Sequence, residues 1–319
     1  MNMGIYDWGF ATEPEPHLHG RQLDYPRGRT LGGTSSINAM IAIRGHRRDY
    51  DRWAESGLAG WSYADVLPYF RRLETSWREA GPFHGAQGPV QITRMEDPDL
   101  LWEPLLASAQ AAGVPYCDDA NGAEQDGISR MEATVGNGAR SSTARAYLHP
   151  AKQRANLVIH TDALAQRIEM ANGRAVGVRY QQRGQPREAR AEREIIVCGG
   201  AFNSPQLLLL SGIGPADELR ALGIEPVHHL PGVGRNLADH PNILNEYELK
   251  GSQGLTRHLR IDRAALAVIR WKLTRSGPFA LTGTSANVFA RTLPGLDQPD
   301  IQMMTLPISN NAELWGPGL

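Results

Sequence analysis

The sequence predicts an α/β region followed, from about residue 241, by a mostly antiparallel α+β region. Three features carry this reading. The run Glu194-Ile195-Ile196-Val197-Cys198 is short, β-rich and followed at once by Gly199-Gly200, and the apolar stretch Leu207–Leu210 comes next. That is a strand, a glycine turn and a helix. The runs Leu164–Met170 and Ala175–Tyr180 flank Asn172-Gly173, a strong hairpin turn. Beyond Pro241, alternating segments at 243–249, 286–291 and 300–306 surround one helical pattern at 262–274, built on Leu266, Ile269 and Leu273.

The remaining elements follow in order. The first thirty residues read as loop. From Thr34 a helix is expected, with Thr34, Ser35 and Ser36 as capping hydroxyls and Ile37, Met40 and Ile41 at helical spacing. Residues 62–75 predict a helix capped by Ser62, with Val66, Leu67, Phe70 and Leu73 as its stripe. Residues 99–112 predict another. Asn156–Thr161 reads as a strand. Ser204-Pro205 reads as the start of the helix that Gly212 and Gly214 end.

Composition bounds the function. The chain has 319 residues, room for more than one domain, with 41% hydrophobic and 21% charged residues. A net charge of −1 gives no electrostatic case for nucleic acid or an anionic membrane. Cys117 and Cys198 form neither a CxxC nor a zinc spacing, and two thiols in such a chain suggest a reducing, cytoplasmic compartment. No stretch approaches ~18 apolar residues, and no basic-then-apolar leader opens the chain.

Residues 28–38, Gly-Arg-Thr-Leu-Gly-Gly-Thr-Ser-Ser-Ile-Asn, are the most informative segment. Two adjacent glycines let another body approach the backbone, and exposed N–H groups with three hydroxyls suit a pyrophosphate. Arg27 and Arg29 add positive charge. The same residues also read as a plain glycine turn and capped helix, and the 195–214 unit equally as a structural crossover. The residues alone leave both open. The loop is neither a Walker A loop nor GxGxxG.

The run from Gly28 through Asp51 resembles the first signature of the glucose–methanol–choline (GMC) oxidoreductases, and the run from Gly200 through Gly214 resembles the second. Arg140-Ser141-Ser142-Thr143-Ala144 and the segment Pro231–His240 also resemble family segments. The resemblance covers essentially the whole chain and points to the choline-dehydrogenase-like branch. It implies an FAD/NAD(P)-binding, Rossmann-like domain over 1–240, with substrate-domain excursions around 62–140, and a partial antiparallel-sheet substrate domain over 241–319. It implies FAD as cofactor and a small-molecule alcohol as substrate, oxidised by hydride transfer to flavin N5. Carried onto this chain, Arg29, Gly32, Gly33, Thr34 and Ser36 would lie along the pyrophosphate. Asn38, Ala39, Met40 and Ile41 would approach the flavin ring, and Ala165 would meet the adenine through its backbone. Gly199, Gly200 and Ala201 would border the same dinucleotide.

In choline oxidases a histidine just before this asparagine attaches covalently to the flavin. Ile37 stands there in this chain and has no nucleophile, so non-covalent FAD is expected. The family's opening strand, GxGxxG turn and helix, and its catalytic histidine near the C-terminus, are not matched here. Tyr6–Phe10 already resemble a later point, so no catalytic residue is assigned. A chain without that opening unit is expected to leave the Ile195–Cys198 strand exposed, to bind FAD weakly or not at all alone, and to be poorly soluble. A hydroxynitrile-lyase-like enzyme on the same fold and a non-catalytic truncated product are the alternative readings.

Other chemistry-bearing residues read as structural. His17 and His19 lack a third ligand, so no metal site is expected. Asp239-His240 reads as a hydrogen-bonded pair, Arg44–Arg48 as a solvated basic face, and Trp53, Trp61 and Trp102 as core anchors.

Overall fold

A computed structural model describes residues 4–249, 254–309 and 312–314. By packing, the chain forms two compact units. One comprises Met1–Gln153 with Glu246–Leu319, and the other Arg154–Asn245.

In the first unit, strand Ala286–Ala290 is the centre of an antiparallel sheet, between Gly127–Arg130 and Ile301–Thr305. Helix Trp102–Ala111 covers this sheet. Trp102 and Ile128 pack with Ala286 and Val288, and Leu105, Leu106 and Ala109 close the cluster. A second sheet pairs Glu74–Ser76 in parallel with Val90–Arg94, and Val90–Arg94 antiparallel with Glu132–Ala133. Another core cluster comprises Met95, Leu100, Met131, Ala133, Val135 and Leu255. Helix Tyr63–Leu73 starts as its sequence predicts. The Ser62 hydroxyl accepts the Asp65 N–H, and the Asp65 carboxylate returns a bond to the Ser62 N–H.

The second unit is a meander of Ala163–Ala171, Arg174–Gln182 and Gln185–Arg190. Asn172 and Gly173 both take positive φ, 51° and 74°, as a two-residue hairpin turn requires. Helix Gly200–Leu210 packs on the first strand and is tied to it where the buried Ser211 hydroxyl accepts the Ile168 N–H at 2.8 Å.

Several expectations are corrected. The segments 156–161, 195–198 and 243–249 carry no ladder pairing among the described residues. Local β-propensity supplies no neighbour, and a strand exists only by exchanging hydrogen bonds with one. The apolar exposure expected at 195–198 is present: Ile196 is 74% exposed. The helix expected from Ser204 begins at Gly200, which places Pro205 inside it, past the first turn, where its ring removes one intrahelical hydrogen bond. The helix expected from Thr34 is a single 3₁₀ turn, Gly33–Ser36. It ends at Ile37, whose φ of −125° and ψ of −13° are already off the helical values, and Met40 beyond it takes φ 63°. Helix Ile261–Thr274 forms, but it buries Ala264 and Ala267, while Leu266, Ile269 and Leu273 are exposed. Trp102 is a core anchor, whereas Trp53 and Trp61 are about half exposed and meet edge to face.

The Arg44–Arg48 run is not uniformly a solvated face. Arg44 is buried and pairs with Glu74 at 3.0 Å. Glu74 and Asp119 clasp the buried His84 ring at 2.9 and 2.8 Å. Burial disfavours the imidazolium, but the hydrogen bonds and charges of Asp119 and Glu74 outweigh it and raise the His84 pKa to about 9. Burial likewise works against ionised Glu74 and Asp119, yet His84 and neighbouring arginines hold both below the usual carboxylate range. The His84 contribution is therefore full below its unfolded pKa, near 6.5, and is lost as pH rises through about 9. It amounts to something on the order of 2–3 kcal/mol. Melting curves between about pH 6 and about pH 9.5 should show a loss of stability that His84→Gln flattens; parallel curves for the two proteins would contradict the clasp.

Candidate cofactor site

The diglycine loop lies in the first unit. It has no extended secondary structure, so its shape rests on side chains bonded to backbone. Thr34 Oγ1 accepts the Gly28 N–H at 3.1 Å, and Ser36 Oγ donates to Leu31 O at 2.9 Å. Ser35 Oγ donates to Gly32 O and accepts the Thr143 N–H at 3.0 Å, and Thr143 Oγ1 also donates to Gly32 O. The three hydroxyls expected to face a ligand thus hold the loop first. Thr34 Oγ1 is used there as an acceptor, which leaves its hydrogen for a donated bond.

Glycine is required here for two distinct reasons. A Cβ at Gly28 would sit 2.3 Å from Gly33 O, and one at Gly32 would sit 2.5 Å from Ser36 Oγ and 3.1 Å from Ala144 Cβ. These two glycines let the loop fold onto itself and onto the 140–144 segment. Gly33 differs: with φ 54°, its Cβ would meet nothing within 4 Å. At that point the backbone faces open space, and a side chain would fill it.

Beyond the turn, Asn38 and Ala39 are exposed, while Met40 and Ile41 pack against the Met95–Leu255 cluster. The backbone there is fixed from several sides. Met40 N–H donates to Asn38 Oδ1 at 3.1 Å, and Met40 O accepts from the Thr134 N–H at 2.7 Å. Ile41 bridges Ala133, Ala42 N–H donates to Glu132 O, and Asn121 spans Ala42 O and Arg44 N–H. Arg29 is exposed, with its guanidinium over the Trp8 ring at 5.0 Å.

Residues 28–41 contain no acidic side chain. Open backbone at Gly33, small flanking residues and basic side chains fit a phosphate-bearing, flat ligand such as a dinucleotide. Sequence reasoning missed the supports behind this loop: Arg140, Thr143, Thr134 and Asn121. The first two sit in the segment Arg140–Ala144, which resembles a family motif and was assigned no role.

The other candidate residues belong to the second unit. Ala165 is exposed on the first strand of the meander and pairs with Tyr180 beside a register shift. Gly199, Gly200 and Ala201 are exposed at the start of helix Gly200–Leu210. Gly200 has φ 85°, and a Cβ there would also meet nothing within 4 Å.

Remaining groups are accounted for. Cys117 is buried and Cys198 exposed, both as free thiols. His229 Nδ1 accepts the Ala216 N–H, and Asp239 accepts the His240 N–H. Among the described residues, no group of three or more His, Cys, Asp or Glu side chains is placed to hold a metal. No helix among them is long and apolar enough to cross a membrane.

The family model described as GMC oxidoreductase matches residues 16–242. The oxygen-dependent choline dehydrogenase of Brucella anthropi is 43% identical over 311 residues, covering 97% of this chain and 56% of that protein. The protein of the same name from Stenotrophomonas maltophilia is 44% identical over 311 residues, covering 96% and 55%. The chain thus spans about half the length of the curated relatives it matches. Formate oxidase of Aspergillus oryzae superposes with a TM-score of 0.77 at 26% identity, over 90% of this chain and 52% of that one. Pyridoxine 4-oxidase from Mesorbium loti gives 0.73 at 26% identity, with the same 90% and 52% coverage. With the diglycine loop, the segment behind it and the glycine turn at 199 all inside the matched region, the chain belongs to the GMC oxidoreductase family and has its FAD-binding fold.

Proposed function

We propose that this chain binds FAD and forms part of an enzyme that oxidises the CH–OH group of a small alcohol, in the manner of choline dehydrogenases. The observation that carries the reading is the diglycine loop: its hydroxyls and Arg140 hold it from behind while Gly33 leaves backbone open in front. FAD, when bound, would accept at its N5 the hydride from the substrate carbon.

Within this reading, Gly32, Gly33, Thr34 and Ser36 bind the pyrophosphate, with Arg29 adding positive charge. Asn38, Ala39, Met40 and Ile41 present their backbone to the flavin ring. Ala165 serves the adenine through its main chain, and Gly199, Gly200 and Ala201 border the same cofactor. Residues 1–240 serve the cofactor, with excursions around 62–140, and residues 241–319 contribute to substrate binding. No residue of this chain is assigned to proton transfer. Two free thiols suit a reducing, cytoplasmic setting.

Two glycines test the reading against each other. Gly33→Ala costs about 1 kcal/mol for its left-handed backbone and should leave the melting temperature nearly intact. It should nonetheless weaken FAD binding, measured by quenching of flavin fluorescence, by tenfold or more. Gly28→Ala drives a Cβ into Gly33 O and should lower both stability and FAD binding. FAD affinity unchanged in Gly33→Ala would sink the pyrophosphate assignment. Ile37 offers no nucleophile, so acid precipitation of the flavin-loaded protein should release all its FAD to the supernatant; flavin retained in the pellet would contradict non-covalent binding.

A further inference from the structure

We propose that Arg140 is a positioning residue: it clamps the segment between the diglycine turn and Met40 in the shape that meets the flavin, and supplies a positive charge there. The flavin part rests on the function proposed above. The clamp itself stands on this chain's own geometry.

Arg140 lies at the end of the short hairpin that pairs Val135–Gly136 with Ala139–Arg140. Its Nη1 is within hydrogen-bond distance of three oxygens, Asn38 O and Asn38 Oδ1 at 2.8 Å and Ser35 O at 3.2 Å. One rigid guanidinium thus joins the last turn of the loop to the asparagine that follows it.

Asn38 Oδ1 passes the constraint on by accepting the Met40 N–H. Met40 needs it, because φ 63° is a left-handed conformation that costs a non-glycine residue of its kind roughly 1 kcal/mol or more. The Thr134 N–H and Oγ1 hold Met40 O on the other side. Arg140 also pairs with no carboxylate among the described residues, and burial pushes its guanidinium below the usual range. A half-buried cation balanced only by carbonyl oxygens suits the neighbourhood of an anionic cofactor.

The experiment compares the wild-type chain with Arg140→Met, which keeps the stem and loses the fork, and Arg140→Lys, which keeps the charge. Thermolysin cleavage between Ser36 and Ile41, followed without flavin, reads the clamp. Arg140→Met should raise that rate at least tenfold, and Arg140→Lys by a few fold. An unchanged rate in a folded Arg140→Met overturns the clamp. If Arg140→Met fails to melt cooperatively, Arg140→Lys decides: faster cleavage upholds the clamp and an unchanged rate overturns it.

FAD titration reads the second part. Affinity should fall about tenfold or more in Arg140→Met and recover partly in Arg140→Lys, with a shift of the flavin absorption envelope in both. Loosened cleavage with unaltered FAD affinity and spectrum overturns the link to the cofactor. A wild-type chain that binds no FAD sinks the proposed function, while the cleavage result still decides the clamp.

Discussion

A backbone that a cofactor must touch cannot be covered on the side the cofactor approaches. The segment 28–44 is tied at many points, and among its glycines Gly33 is left facing open space. Glycines at 28 and 32 bring the chain against itself and against Ala144. The hydroxyls of Thr34, Ser35 and Ser36 then tie the turn from within. Regular helix would satisfy the same backbone groups more economically, but it would also wrap the loop in side chains. The molecule uses one 3₁₀ turn and then a left-handed residue instead.

Support at the far end comes from a buried polar network. Glu132 receives the Trp77 indole N–H and the Arg78 guanidinium, and its main chain accepts the Ala42 N–H. Asn121 spans Ala42 and Arg44, whose guanidinium reaches Glu74 and, through it, His84 and Asp119. Every charged group in this chain of contacts has an opposite partner, so none is left as an uncompensated buried charge. The core cluster beneath, which takes the Met40 and Ile41 side chains, adds apolar contact to the same stretch.

What was legible in the sequence was local. Asn172-Gly173 fixes a hairpin because both positions need positive φ, and Ser62 with Asp65 caps a helix through bonds three residues apart. The two long signatures also identified the family. What stayed hidden depends on partners far along the chain. Ile195–Cys198 has strand composition and Ile243–Leu249 alternates, yet neither joins a ladder among the described residues. Arg44 looked like one member of a solvated cluster until Glu74 and Asn121 came into contact with it. Arg140 sits in a family-like motif, yet only a separation of 102 residues closed in space shows what it holds.

Hydrogen exchange of the flavin-free wild-type chain reads most directly whether this loop is shaped before any cofactor arrives. If it is, the Asn38, Met40, Ala42 and Arg44 amides should exchange on the order of a hundredfold more slowly than unstructured chain. If those amides exchange at the unstructured rate while strand Ala286–Ala290 remains protected, the loop is not preset and the cradle described above does not exist without its ligand.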